Sequence, residues 1–237
     1  MGIAAVMGLT AWGEKPTAEK ELGWKPSVSI LGDSYSTFEG YLEPDTNAVW
    51  YFAVPDTTRT DVSDVKQTWW HRFLTDNGLR LCKNNSFSGA TICYTGYRKE
   101  DYSNRSFLNR ATELGNPDMI LIFGGTNDSW AKSPVGEYNF GKKSEGEFKA
   151  VRPALDEMLD RIEGRYPNVP VYFIVNCGLS PEVTESIHYL CERHGVPALQ
   201  LENIDIKRGH PTVKGMEQIA EQLTAFLEAR GVLPAKQ

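Results

Sequence analysis

Four residues whose side chains or backbone suit acyl chemistry each follow a short, strand-like segment of this 237-residue chain. The carboxyl ends of parallel strands meet at one edge of a sheet, and ligands of open α/β sheets bind there. Residues far apart in sequence are therefore expected to gather at a single site. These residues are Ser34, Gly89, Asn127 and His210.

Together they form a complete set for acyl transfer. A serine hydroxyl becomes a competent nucleophile when a neighbouring imidazole removes its proton. Ser34 would attack, and His210 would act first as base and then as acid. The tetrahedral oxyanion needs preorganised donors, which the backbone N–H groups of Ser34 and Gly89 and the Asn127 amide can supply. Glycine at position 89 lets the backbone approach a substrate without an intervening side chain.

The elements that must position these residues alternate between strand and helix. Short apolar runs predict five strands, and apolar residues at helical spacing predict four helices between and after them. Such alternation is typical of a parallel sheet with helices packed on its faces. The predicted strands are 27–31, 80–84, 119–123, 171–175 and 197–201, and the helical patterns cover 65–73, 151–162, 183–190 and 216–227.

One domain is predicted over residues 25–237, preceded by an arm over residues 1–24. The apolar run 2–11 has the length of a signal-peptide core, but no Lys or Arg precedes it. The arm is therefore read either as the remnant of an export signal or as a segment packed on the domain. A periplasmic or secreted location and a cytoplasmic one both remain open. Residues 36–64 and 129–147 fit no regular element, and loops of that length are often functional.

Composition excludes several classes of protein. The net charge of −6, from 25 basic and 31 acidic residues, is unfavourable for binding nucleic acid. No apolar stretch approaches the roughly 18 residues that span a bilayer. The four cysteines lack the spacing of a zinc site, and no glycine-rich nucleotide motif is present. We therefore expect no metal, no cofactor, no nucleic-acid partner and no membrane span.

The motifs also resemble a known family. Gly32-Asp33-Ser34, Gly89, Gly125-Thr126-Asn127-Asp128 and His210-Pro211 occur in the order and approximate spacing of the SGNH (GDSL) hydrolases, over about residues 27–230. The resemblance implies a flavodoxin-like three-layer α/β/α sandwich with a mostly parallel sheet of about five strands. It also implies a carboxylic ester hydrolase with Ser34 as nucleophile, His210 as base, and Gly89 and Asn127 as oxyanion donors.

The sequence departs from the family pattern at one position. The family places an aspartate three residues before the histidine, but Lys207 stands there. The group that orients His210 could instead be Asp205, Glu202 or a backbone carbonyl, or the site could work as a Ser–His dyad. Asp205 is narrowly preferred and is assigned to the catalytic set.

The substrate is predicted from the residue types in the loop that follows Ser34. The loop after Ser34 is rich in aromatic and acidic side chains, which favours a sugar ring over a long alkyl chain. We assign Asp33, Trp50 and Tyr51 to substrate binding and expect a short acyl ester, above all an acetyl ester, of a carbohydrate or similar small molecule. The alternatives are a lysophospholipase or thioesterase acting on longer chains, and a non-catalytic glycan-binding relative. The natural substrate and the oligomeric state stay open.

Overall fold

The computed structural model describes residues 23–234. The predicted N-terminal arm lies almost entirely outside these residues. Among the described residues, no helix is long and apolar enough to span a membrane.

A five-stranded parallel sheet forms the centre of the molecule, as predicted. Its strand order is β2-β1-β3-β4-β5, which is the flavodoxin-like order. The strands are β1 Ser27–Gly32, β2 Arg80–Ser86, β3 Met119–Gly124, β4 Val171–Val175 and β5 Ala198–Gln200.

Helices cover both faces of this sheet. They are α1 Trp69–Asp76, α2 Phe107–Arg110, α3 Thr126–Ala131, α4 Val151–Arg165, α5 Pro181–Arg193 and α6 Val213–Glu228. The helical pattern predicted from Val65 begins later than expected, because Val65 lies in a separate 3-10 turn and Thr68 caps α1. Pro153 is accommodated in the first turn of α4, where its missing N–H has no intrahelical acceptor.

Successive side chains of β3 point to opposite faces of the sheet and contribute to two hydrophobic cores, one on each face. Met119, Leu121 and Phe123 pack with α1 and α6, whereas Ile120 and Ile122 pack with α2, α4 and α5. All five side chains are fully buried. A continuous apolar run is what a strand covered on both faces requires. The predicted three-layer α/β/α sandwich is confirmed.

A small antiparallel hairpin, not foreseen from the sequence, follows the sheet. It pairs β6 Ile206–Lys207 with β7 His210–Pro211. The intervening Arg208 and Gly209 both have positive φ, 52° and 81°. Positive φ at both central residues is the signature of a type I′ turn, which matches the twist of a hairpin. This turn places His210 at the carboxyl edge of the sheet.

Candidate active site

The structure brings Ser34 and His210 into contact. Ser34 Oγ lies 2.9 Å from His210 Nε2, although the two residues are 176 positions apart. Ser34 stands in a 3-10 turn just after β1, where the Asp33 carboxylate accepts a hydrogen bond from the N–H of Tyr35 at 3.0 Å. Ser34 and His210 are only 3% and 5% exposed. A buried hydroxyl facing an imidazole nitrogen is the geometry that nucleophilic catalysis requires.

The other ring nitrogen of His210 faces a backbone carbonyl. Nδ1 lies 3.4 Å from the carbonyl oxygen of Arg208, within the same hairpin. A carbonyl can only accept a hydrogen bond, so Nδ1 carries the proton and Nε2 presents its lone pair to Ser34. Burial lowers the pKa of His210 to about 4, and the positive charge of Arg59 acts in the same direction. The imidazole is therefore neutral, as a base must be.

The contact predicted between Asp205 and His210 is not made. The Asp205 carboxylate instead accepts a hydrogen bond from the hydroxyl of Thr212, the N-cap residue of α6. A carboxylate at the N-terminus of a helix is favourable there, which explains its orientation. Glu202 is exposed, and its backbone pairs with the Gln222 side chain. No carboxylate of the described residues bonds to His210, and its Nδ1 faces a backbone carbonyl, one of the open alternatives.

Asn127 lies at the start of α3, with its amide fixed at both ends. Its Nδ2 donates to the Ala90 carbonyl at 2.9 Å, and its Oδ1 accepts from the Tyr97 hydroxyl at 2.9 Å. The second hydrogen on Nδ2 has no acceptor among the described residues. Burial raises the pKa of Tyr97 to about 12, so its hydroxyl remains a donor.

Gly89 lies in the loop after β2, next to the carbonyl that Asn127 holds. Its φ is +83°, and a Cβ built at this position would meet no atom within 4 Å. The N–H of Gly89 has no hydrogen-bond acceptor among the described residues. The predicted oxyanion donors Ser34, Gly89 and Asn127 come after β1, β2 and β3, which are neighbours in the sheet.

Buried charges hold these loops together. Asp128 accepts hydrogen bonds from the backbone N–H groups of Ile92 and Cys93 at 2.8 and 3.3 Å. Arg110 donates to the carbonyls of Asn85 and, at 3.2 Å, Gly32, which joins the ends of β2 and β1. These contacts fix the turn that carries Ser34 against the loop that carries Gly89.

Burial also raises the pKa of both carboxyl groups in this region. The pKa of Asp33 rises to about 7, and that of Asp128 to about 6. Burial is the main cause in each case, and the neighbouring Asp128 charge adds to the shift at Asp33. Arg110, also buried, remains a cation at neutral pH and offsets part of this negative charge.

The predicted substrate-binding residues occupy other places than expected. Asp33 and Tyr51 are both 0% exposed, so neither side chain reaches a substrate in this conformation. Tyr51 donates instead to the carbonyl of Pro211 at 3.0 Å. Trp50 reaches the site, but both faces of its ring are covered, by His210 and by Arg59. Trp50 and Tyr51 therefore pack against His210 instead of facing a substrate.

Two other aromatic residues at the site were missed from the sequence. Trp130, on α3 one turn after Asn127, is 41% exposed and places its ring edge-on to His210 with centroids 5.9 Å apart. Its spacing from Asn127 on one helix was the available signal. Tyr97 lies in an irregular segment with no motif, and nothing in the sequence marks it.

A candidate metal cluster lies away from this edge. The potential ligand atoms of Asp160, Glu163 and His194 are within 4.8 Å of one another. The Lys143 ammonium lies 3.9 Å from Asp160 and 2.7 Å from the neighbouring Asp156. This cation already offsets negative charge beside the cluster.

The comparisons with known proteins agree with this geometry. The family model of the GDSL-like lipase/acylhydrolases matches residues 26–227. No curated protein matches the chain.

Solved structures show the same relationship. One described as a GDSL-like lipase from Bacteroides ovatus is 53% identical, with a TM-score of 0.85 over 87% of this chain and 99% of its own. Another with that description, from Bacteroides uniformis, is 44% identical, with a TM-score of 0.85 over 88% of this chain and 98% of its own. An acetyl xylan esterase from Butyrivibrio proteoclasticus shares the fold at 17% identity, with a TM-score of 0.56 over 87% of this chain and 64% of its own. The chain belongs to the GDSL-like lipase/acylhydrolase family.

Proposed function

We propose that this protein is a serine esterase that removes short acyl groups, above all acetyl, from carbohydrate esters. The observation that carries the proposal is the 2.9 Å contact between Ser34 Oγ and the Nε2 of a buried His210. A non-catalytic glycan-binding protein would have no need for a serine paired with a neutral base in the correct tautomer.

The reaction follows from the positions of these groups. Ser34 Oγ attacks the ester carbonyl carbon while its proton moves to His210 Nε2. The N–H groups of Ser34 and Gly89 and the Asn127 amide stabilise the oxyanion. The C–O bond to the alcohol then breaks, and His210 returns the proton to the leaving oxygen. Water, deprotonated by His210, then attacks the acyl carbon, the bond to Ser34 Oγ breaks, and His210 returns the proton to Oγ as the acid leaves.

A carbohydrate ester is supported by the surface beside His210. Trp130 offers a partly exposed indole, and aromatic faces suit sugar rings. An acetyl xylan esterase has the same fold, although at 17% identity that likeness extends no further.

A second candidate substrate, a longer acyl ester, is favoured by apolar side chains exposed on two neighbouring segments. Phe52 and Val54 are 42% and 90% exposed, and Ile206 on β6 is 54% exposed. Lys207, next to Ile206, donates to the Thr57 carbonyl at 2.8 Å, which joins the two segments. An acyl chain of medium length would find apolar contacts there.

A chain-length series separates these candidates. We expect kcat/KM to be highest for p-nitrophenyl acetate and to fall through the butyrate to the octanoate. Ser34→Ala should lower kcat by at least about 10⁴-fold, since nucleophile and base act as a unit. Ser88→Ala, a half-buried serine beside Gly89, is the matched control and should keep wild-type activity.

Three outcomes would contradict the proposal. A rise in kcat/KM with chain length would assign the site to longer acyl chains. Hydrolysis by Ser34→Ala at the wild-type rate would remove Ser34 from the mechanism. A wild-type protein that neither hydrolyses any of these esters nor reacts at Ser34 with a fluorophosphonate would not be a serine hydrolase.

A further inference from the structure

The imidazole of His210 is held mainly by packing. Its hydrogen bond to the Arg208 carbonyl is 3.4 Å long, at the weak end of the range for such bonds. The indole of Trp50, by contrast, lies parallel to the imidazole, with ring centroids 3.6 Å apart and an interplanar angle of 9°. A ring stacked at this distance blocks tilting of the imidazole towards that side.

Other aromatic rings restrict the remaining directions. Tyr35 lies 5.3 Å from the imidazole centroid at 47°, and Trp130 lies 5.9 Å away at 71°. Tyr35 also donates a hydrogen bond to the carbonyl of Gly209 at 2.6 Å, which fixes the hairpin itself. Among these rings, only that of Trp50 lies flat against the imidazole.

Trp50 is in turn attached to the turn that carries the nucleophile. Its backbone N–H donates to the Thr37 hydroxyl at 2.9 Å, and that hydroxyl donates to the Ser34 carbonyl at 3.0 Å. A closed circuit of contacts therefore runs from Ser34 through Thr37, Trp50 and His210 back to Ser34. Any shift of the indole would change the position of the base relative to the nucleophile.

The opposite face of Trp50 is covered by Arg59. The guanidinium carbon lies 4.0 Å from the ring centroid, a close cation–π contact. The indole is thus enclosed between guanidinium and imidazole, and neither face is free to stack on a sugar. The arrangement favours a role in holding His210 over a role in binding substrate.

From these contacts we infer that Trp50 is the positioning residue for His210 and performs the orienting task that a carboxylate performs in a Ser–His–Asp triad. This inference rests on the proposed esterase function. It assigns to Trp50 an effect on the rate of the chemical step and little effect on substrate binding.

The test compares Trp50→Leu, which removes the flat ring, with Trp50→Phe, which keeps one. A misplacement of about 1 Å at a catalytic group can cost roughly 10²-fold in rate. We therefore expect Trp50→Leu to lower kcat for p-nitrophenyl acetate by about 10²-fold with KM nearly unchanged. Trp50→Phe should restore most of kcat. Tyr41→Leu, at an exposed aromatic residue of the same segment, is the matched control and should leave kcat unchanged.

A spectroscopic measurement makes the test independent of esterase activity. The indole ring current should shift the imidazole proton resonances of His210 upfield, with the assignment made from their loss in His210→Gln. The shift should disappear in Trp50→Leu and persist in Tyr41→Leu. If the wild type shows the shift but hydrolyses no ester, the proposed function fails while the stack itself stands.

Three kinetic results would overturn the inference with the esterase function intact. If Trp50→Leu retains wild-type kcat, the ring is not needed to position His210. If it raises KM and leaves kcat unchanged, Trp50 binds substrate. A loss of kcat in Trp50→Phe as large as that in Trp50→Leu would also contradict it, because a flat ring would then not be the property that matters.

Discussion

The two halves of the candidate site are built by different physical means. On the nucleophile side, hydrogen bonds from fully buried polar groups fix the loops, with Asp128 and Arg110 each serving two or more backbone groups. On the base side, His210 has one polar contact besides Ser34 among residues 23–234, and aromatic rings surround it. Hydrogen bonds hold the loops of the nucleophile side in place, whereas packing of aromatic rings holds His210 on the base side.

This difference has a consequence for electrostatics. The nucleophile side carries two buried carboxyl groups with raised pKa values, about 7 for Asp33 and about 6 for Asp128. The base side has no carboxylate bonded to His210 among the described residues, and burial keeps the imidazole neutral. A triad aspartate would favour the imidazolium, whereas this environment opposes it. His210 therefore stays neutral, and able to accept a proton, at mildly acidic pH. The imidazolium that forms during the proposed reaction is poorly stabilised.

The largest effect is expected on the hydrogen-bonded side. Asn127→Ala removes an oxyanion donor, and loss of one such donor typically costs about 10²–10³-fold in kcat. We expect a fall of that size with KM nearly unchanged. The measurement is steady-state hydrolysis of p-nitrophenyl acetate, and a change in KM alone would show that Asn127 binds the ground state.

Tyr97→Phe sharpens the same test, because it removes only the hydroxyl that orients Asn127. One net hydrogen bond corresponds to roughly a two- to tenfold change. Tyr94→Phe is the matched control, since Tyr94 donates to Asn109 Oδ1 at 2.8 Å in the same kind of pair. Loss of activity in Tyr94→Phe equal to that in Tyr97→Phe would indicate a general effect on the fold.

The next prediction concerns the pH dependence of activity, which is set by the base side. His210 must be neutral to accept the proton of Ser34, and its pKa is lowered to about 4. We expect kcat/KM to be level at neutral pH and to fall about tenfold per unit below about pH 4, as the imidazole becomes protonated. Return to neutral pH before assay checks that activity is recovered. An acid limb centred near 6.5, the ordinary histidine value, would contradict a buried base.

Arg59→Gln provides a second variant for the pH profile. The Arg59 charge lowers the pKa of His210, so its removal should raise that pKa and move the acid limb towards neutral pH. Displacement of Trp50 would expose the base and raise the same pKa, because burial is the main cause of its low value. A limb that stays in place or moves to lower pH would therefore contradict the prediction.

The nucleophile side could be predicted from the sequence, and the reason is physical. Ser34, Gly89 and Asn127 each come shortly after a strand, and the carboxyl ends of parallel strands meet at one edge of the sheet. The sheet itself could be predicted because its central strands β3 and β4 are apolar runs with clear ends, whereas the polar edge strand β2 gave a weaker pattern.

The support of the base could not be predicted in the same way. Stacking of Trp50 on His210 requires volume and flatness, which several aromatic residues provide, and the contact is made across 160 positions of chain by a loop without regular structure. The hairpin that presents the Arg208 carbonyl depends on positive φ at a non-glycine residue, which the sequence does not reveal. Asp205 was a reasonable candidate by residue type and proximity, but the N-terminus of α6 holds its carboxylate.

The smallest expected effect is therefore that of Asp205→Asn. In a triad, neutralising the aspartate costs about 10⁴-fold in kcat. Here the carboxylate accepts from the Thr212 hydroxyl, and an asparagine side-chain oxygen can accept the same hydrogen bond. We expect kcat to change by less than about threefold, with a modest loss of stability because a negative charge leaves the N-terminus of α6. Kinetics and thermal unfolding of the variant separate the two effects. A loss of kcat approaching that of a triad aspartate would mean that Asp205 turns to His210 during reaction, and the base would then be held by charge after all.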